Sequence, residues 1–191
     1  MDRFTNRLAT GISLFVLLLG STLLFGESRE NPGSPSGSLV TVQLSVGSAS
    51  VAKGAEVCLP VKVSNFTNLV GAEFTITYDT ARLTYKSVKN LNLAGLSESS
   101  SFGLPGVGVN PRGVLKVSWL DNNVSGVTVP ANTTIFEVCF TAVNLDATTT
   151  VSFGATTEFL DADVNTVAVA TTPGTVTIGT GGSGTGGGTG G

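Results

Sequence analysis

Residues 57–79 carry two runs in which apolar and polar side chains alternate. In the first, Val57, Leu59, Val61 and Val63 alternate with Cys58, Pro60 and Lys62; in the second, Phe74, Ile76 and Tyr78 alternate with Glu73, Thr75 and Thr77. Successive side chains of an extended chain point to opposite faces, so a period of two predicts strands with one buried and one wet face. The intervening residues 64–71 are too few for a helix and include Asn, Thr and Gly. They predict a loop that carries the chain from one sheet to another. Residues 135–143 repeat the alternation, with Phe136, Val138, Phe140 and Ala142 inward and Glu137, Cys139 and Thr141 outward. Cys58 and Cys139 therefore share the outward phase.

The same pattern predicts strands at 39–46, 83–88, 114–120, 149–153 and 167–178, the last interrupted at Pro173 and Gly174. Lys53 and Gly54 supply one turn, and Asp121, Asn122, Asn123 and Gly126 another. Residues 89–111 hold Leu91, Leu93 and Leu96 but are too rich in Gly and Pro for regular pairing. They predict a long loop with one short strand. Roughly nine strands and no convincing helix make an all-β chain, an antiparallel β-sandwich.

The ends differ from this body. Residues 1–28 place Arg3 and Arg7 ahead of an apolar run at 12–25, the design of a signal peptide, with an uncleaved N-terminal anchor as the other reading. No cysteine follows the run to carry a lipid. Residues 29–38 are a polar, Pro- and Gly-containing spacer, residues 39–178 the folding body, and residues 179–191 a Gly, Thr and Ser linker that suggests a longer natural chain.

Composition narrows the chemistry. The 191 residues carry a net charge of −3, with 12% charged, no histidine and two cysteines. Scattered Lys and Arg make no basic stripe for nucleic acid. The missing histidine removes most metal-centre and nucleophile–base arrangements.

The run VCLPVKVSNFTNLVGAEFTITYDTARLTYKSV, followed by GVLKVSWLD and TIFEVCFTAV, resembles the cohesin domain over roughly residues 38–178. Cohesins are the receptor modules that bind dockerins in cellulosome-type assemblies, and belong to a superfamily shared with cellulose-binding modules. The resemblance implies a jelly-roll sandwich that binds and does not catalyse. It implies a dockerin-type partner that carries its own calcium, so that this chain needs no cofactor or metal, and a secreted or cell-surface location. It also sets the strands of Cys58 and Cys139 side by side, which in an oxidising compartment implies a cross-strand disulfide. Finally, it places partner binding on the outward residues Glu73, Thr75 and Thr77 of one strand and Lys116, Ser118 and Leu120 of another. Gly71 and Glu73 stand where cohesins tend to carry Asn and Asp, so the specificity is expected to be unfamiliar.

Other chemistries fit less well. Asp161, Asp163 and Asn165 begin like an EF-hand loop, but Thr166 replaces its turning Gly and Thr172 its closing Glu, which leaves an Asx-rich turn. Trp119, Tyr78 and Tyr85 invite a carbohydrate reading, yet Trp119 and Tyr78 share the phase of core residues. Direct polysaccharide binding and a surface-adhesion role without dockerins remain the alternatives. Glu73, Asp79, Asp121, Glu137, Glu158 and Asp161 include no pair whose spacing marks a glycosidase. The sequons at Asn65, Asn123 and Asn132 matter only in a host that glycosylates them.

Overall fold

The computed structural model describes residues 40–144 and 147–180, which leaves the apolar leader, the spacer and the tail beyond residue 180 outside the described residues. Those described form a jelly-roll sandwich of twelve strands. They are β1 (Val42–Val46), β2 (Ala49–Ala52), β3 (Glu56–Ser64), β4 (Leu69–Tyr78), β5 (Leu83–Lys89), β6 (Phe102–Gly103), β7 (Val114–Leu120), β8 (Thr133–Ala142), β9 (Ala147–Asp161), β10 (Thr166–Val167), β11 (Val169–Thr172) and β12 (Gly174–Gly179). One sheet has the order β11-β1-β3-β8-β5 and the other β2-β12-β9-β4-β7-β6, with β10 against β9.

The count exceeds nine because β2 is a short Ala-Ser-Val-Ala segment without an alternating signal, and because the last run splits into β10, β11 and β12. Nor is the pairing wholly antiparallel. The first and last segments run parallel to each other, β1 beside β11 and β2 beside β12. Both change sheets at the same place, where Gly47 and Gly174 touch. A Cβ on Gly174 would lie 2.1 Å from the Gly47 carbonyl oxygen, so two glycines let the paired segments cross together.

The predicted sheet crossing lies at residues 65–68, between β3 in one sheet and β4 in the other. Asn65 and Asn68 bracket it at φ of 56° and 55°, a left-handed conformation that Asn tolerates better than most residues. Between them the chain drops Phe66 into the core, fully buried, with its ring 5.5 Å from Trp119 and 6.0 Å from Phe159. Alternation could not find Phe66, because it belongs to a loop.

The inward residues of the two sheets meet as their phase requires. Val57, Leu59, Val61 and Val63 of β3 and Phe136, Val138, Phe140 and Ala142 of β8 face Ala72, Phe74 and Ile76 of β4 and Leu115, Val117 and Trp119 of β7, all buried. Phe74 is stacked on Phe159 at 6.1 Å within its own sheet and on Phe136 at 6.4 Å in the opposite one. Removing one such ring from a packed core costs about 3–5 kcal/mol. Trp119 also ties down the long loop, since its indole N–H donates to the Ala94 carbonyl at 2.7 Å.

On the outer face of the five-stranded sheet, Cys58 and Cys139 are directly paired residues of β3 and β8, joined by a disulfide with their Cα atoms 4.0 Å apart. Both were expected on outward faces, outside the core. Instead Cys139 is wholly enclosed. Beside the bridge lies a charged clamp. Glu56 of β3 forms ion pairs with Lys86 and Lys89 of β5, reaching across the intervening strand β8, and its carboxylate lies within 4.8 Å of both sulfurs. Sulfurs bonded to each other are not thiolates, so this cluster of one Glu and two Cys is no metal site.

Two outcomes follow. The bridge spans 81 residues, for which chain entropy gives on the order of 4 kcal/mol. A Cys58→Ala, Cys139→Ala variant should lose about that much in urea unfolding, and alkylation of unreduced protein should label no thiol. The two lysine ammonium groups hold the Glu56 carboxyl down from an ordinary 4.5 to about 2. The folded state therefore holds this proton less tightly than the unfolded chain. The clamp's stabilisation is complete above the ordinary value of about 4.5 and is lost as the pH falls toward 2. A Glu56→Gln variant should melt below the parent at pH 7 and level with it near the lower of these values, with salt narrowing the gap because the pair is open to water.

Candidate functional site

Strand β4 lies at the centre of the candidate face, between β7 and β9. Its inward residues are fixed by Phe74 and Ile76, so Gly71, Glu73, Thr75 and Thr77 must point out. The register with β7 sets Glu73 opposite Ser118, Thr75 opposite Lys116, Gly71 opposite Leu120 and Thr77 opposite Val114. The six residues expected to bind a partner thus share one face of two neighbouring strands. Glu73, Lys116, Ser118 and Leu120 are exposed, with Leu120 presenting 59% of its surface to water. Thr75 and Thr77 are half-buried and more structural. Thr77 Oγ1 donates to the Ser152 carbonyl at 3.4 Å, and Thr75 Oγ1 sits 2.0 Å from where a Cβ of Gly154 would stand.

The other flank comes from β9, whose face-forming residues sequence reasoning missed. Glu158 is paired with Glu73, and Leu160 with Gly71. The expected strand stopped at Phe153, whereas β9 runs on to Asp161 through an irregularity opposite Phe74 and Ile76. There Gly154 yields its side-chain space to Thr75, and the alternation is lost until Phe159 restores it. One signal was present in the sequence. Leu120-Asp121-Asn122-Asn123-Val124 and Leu160-Asp161-Ala162-Asp163-Val164 follow the same pattern, which marks the ends of equivalent strands.

Gly71, Glu73, Ser118, Leu120, Glu158 and Leu160 line a depression of about 270 Å³. Its floor is low because Gly71 has no side chain, and its walls are the two leucines. Glu73 and Glu158 put two exposed carboxylates directly across from each other, and neither has an ion-pair partner among the described residues. Like charges so placed repel, at a cost that a cation between them would reverse.

Both turns at the end of this face are organised by an aspartate. Asp121, only 6% exposed, accepts N–H bonds from Asn123, Ser125 and Gly126 and an O–H bond from Ser125. Asp161 accepts from the amides of Asp163 and Asn165, at 3.0 and 2.8 Å. These backbone donors hold both carboxyls below the usual carboxylate range. The EF-hand-like start at Asp161 is therefore a self-satisfied Asx turn, as its sequence departures implied.

The aromatic residues do not form an exposed strip. Trp119 is buried, and none of the large apolar side chains that stand exposed among the described residues is aromatic. Tyr78 packs on Phe140 at 4.8 Å, and with Tyr85 and Arg112 it lines a separate cleft of about 340 Å³ at the other end of β4. Burial pushes both phenols up, and the Glu98 carboxylate adds to the effect at Tyr85.

The family defined as the cohesin domain matches residues 42–178, and the chain belongs to that family. Among solved structures, the sixth cohesin of scaffoldin B from Acetivibrio cellulolyticus, determined with a Cel5 dockerin, is 25% identical. It superposes with a TM-score of 0.61 over 72% of this chain and 99% of that one. A non-cellulosomal cohesin from the archaeon Archaeoglobus fulgidus is 24% identical, with a TM-score of 0.57 over 72% of this chain and 91% of that one. The cohesin of a type I cohesin–dockerin complex from Clostridium thermocellum is 19% identical, with a TM-score of 0.61 over 72% and 99%. No curated protein sequence matches the chain.

Removing Asp121 strands three backbone amides in a nearly closed turn, whereas the Asp161 turn is more open to water. Asp121→Ala is therefore expected to lower the melting temperature by several degrees and Asp161→Ala by clearly less, as read by thermal denaturation at neutral pH.

Proposed function

We propose that this protein is a non-catalytic docking module whose outward β4–β7 face receives a dockerin-type protein partner outside the cell. Family membership supports the class. The observation that carries the site is the register of β4 and β7, which collects Glu73, Lys116, Ser118 and Leu120 as exposed neighbours on one sheet face. Charged and hydroxyl groups around a single exposed leucine suit a hydrogen-bonded interface with a small apolar centre. The apolar run at residues 12–25, behind two arginines, supports export, and the enclosed disulfide fits an oxidising destination. No helix among the described residues is long and apolar enough to cross a membrane. Calcium belongs to the partner in this reading.

The test is capture of secreted proteins from the source organism on immobilised protein, with and without calcium, beside a Glu73→Ala, Lys116→Ala control. Calcium-dependent capture of dockerin-bearing proteins, weakened about tenfold or more by the double substitution, is expected. Equal capture by both would move the site to another face. Retention on cellulose or chitin with no protein captured would replace the reading by direct carbohydrate binding.

A further inference from the structure

The chain leaves one sheet at Tyr78, the last residue of β4, and enters the other at Leu83, the first of β5. The turn between them is fixed. Ala81 donates its amide to the Asp79 carboxylate at 2.8 Å, and Leu83 donates its amide to the Asp79 carbonyl at 2.9 Å. Over this passage lies the cleft of about 340 Å³, closed on its far side by Pro105 and Gly106 of the β6–β7 loop. It shares no residue with the depression beside Gly71. All of its polar side chains can donate hydrogen bonds. Tyr78, Thr80, Thr84 and Tyr85 supply hydroxyls and Arg112 a guanidinium, and among the described residues no carboxylate lines the cleft. Burial raises both phenols above the ordinary tyrosine value, so each keeps its proton to offer. Tyr78 is held in place as well, its ring 4.8 Å from that of Phe140.

Two glycines set the arginine against these hydroxyls. Gly106, at φ 73°, lies under the Arg112 side chain, and a Cβ there would stand 3.3 Å from Arg112 Cγ. Gly113, at φ 79°, brings the next residue so close to the end of β4 that a Cβ would stand 2.9 Å from the Tyr78 carbonyl oxygen. Only glycine meets both demands, a left-handed backbone and a close approach. Arg112 is thus placed by the backbone on either side of it, yet it forms no ion pair among the described residues. The geometry points to a binding site for an acidic sugar, a hexuronate residue of an oligosaccharide or polysaccharide, with its carboxylate on Arg112 and its ring oxygens on the surrounding hydroxyls. A guanidinium fork matches the two oxygens of a carboxylate. The Glu98 carboxylate acts on Tyr85 from nearby, so the site suits one negative charge better than the two of a phosphate. A peptide's terminal carboxylate is usually captured by backbone amides, whereas these donors are side chains spaced around a ring-sized opening. The volume lies at the small end of ligand pockets, which span roughly 300–1,000 Å³.

The experiment titrates isotope-labelled protein with trigalacturonate, with its methyl ester, and with a pentapeptide ending in a free carboxylate, and reads the backbone amide shifts. Trigalacturonate should move the amides of Thr84, Tyr85 and Arg112, and esterification should weaken binding about tenfold or more. Arg112→Gln should weaken it to the same extent, and Tyr85→Phe, which keeps the ring and loses one hydroxyl, a few-fold. Both variants should melt level with the parent, and capture of dockerin-bearing proteins should be unchanged in them. Absence of shifts at these amides would overturn the inference, as would equal affinity for acid and ester. Unaltered binding by Arg112→Gln, or a preference for the peptide, would do the same. None of these results would touch the docking reading, which rests on another face.

Discussion

The stack of Phe74 between Phe159 and Phe136 determines more of this molecule than any other contact. It fixes which face of β4 looks inward, and because side chains on a strand alternate strictly, it also fixes which residues look out. A slip of one residue would bury Glu73 and Thr75 and expose Phe74 and Ile76. The candidate face is therefore a by-product of core packing, positioned by the most tightly held strand of the larger sheet. A binding surface built this way has little freedom to rearrange, which lowers the cost of ordering it when a partner arrives.

Much of this was legible in the sequence because two physical signals coincide in it. Period-two alternation set the phase of β3, β4, β7 and β8, and with it the cores of both sheets and the outward positions of Glu73, Lys116, Ser118 and Leu120. Where alternation fails, so did the reading. Phe66 is buried from a loop, β2 is too short to show a pattern, and β9 is interrupted opposite Thr75 by a glycine that makes room for a neighbouring strand. That last interruption hid Glu158 and Leu160, one whole flank of the face. The clamp was hidden for another reason, since Glu56 meets lysines two strands away, a contact that no local pattern encodes.

The two outer faces of the sandwich divide their work. The five-stranded sheet carries the disulfide under the Glu56 clamp, where opposite charges are matched within the molecule. The seven-stranded sheet carries Glu73 and Glu158, where like charges are left unmatched. On the first face the Glu56 clamp neutralises its own three charges. The second keeps its electrostatic demand open, together with a glycine floor and two leucine walls. Electrostatics thus distinguishes the disulfide-bearing face from the candidate face, although both have the same alternating construction.

The parallel pairing of the first and last segments has a mechanical meaning. Pulled at Val42 and at Gly179, β1 and β11 slide against each other along their length, as do β2 and β12, with four registered residue pairs in each ladder. A ladder loaded in this direction must break its hydrogen bonds together, whereas a hairpin pulled open at one end loses them one by one. The touching glycines at the shared crossing join the two ladders into one seam. Tension passing through the chain from one end of the body to the other is therefore borne by the seam in shear, while β4 and the face built on it stay outside the loaded strands.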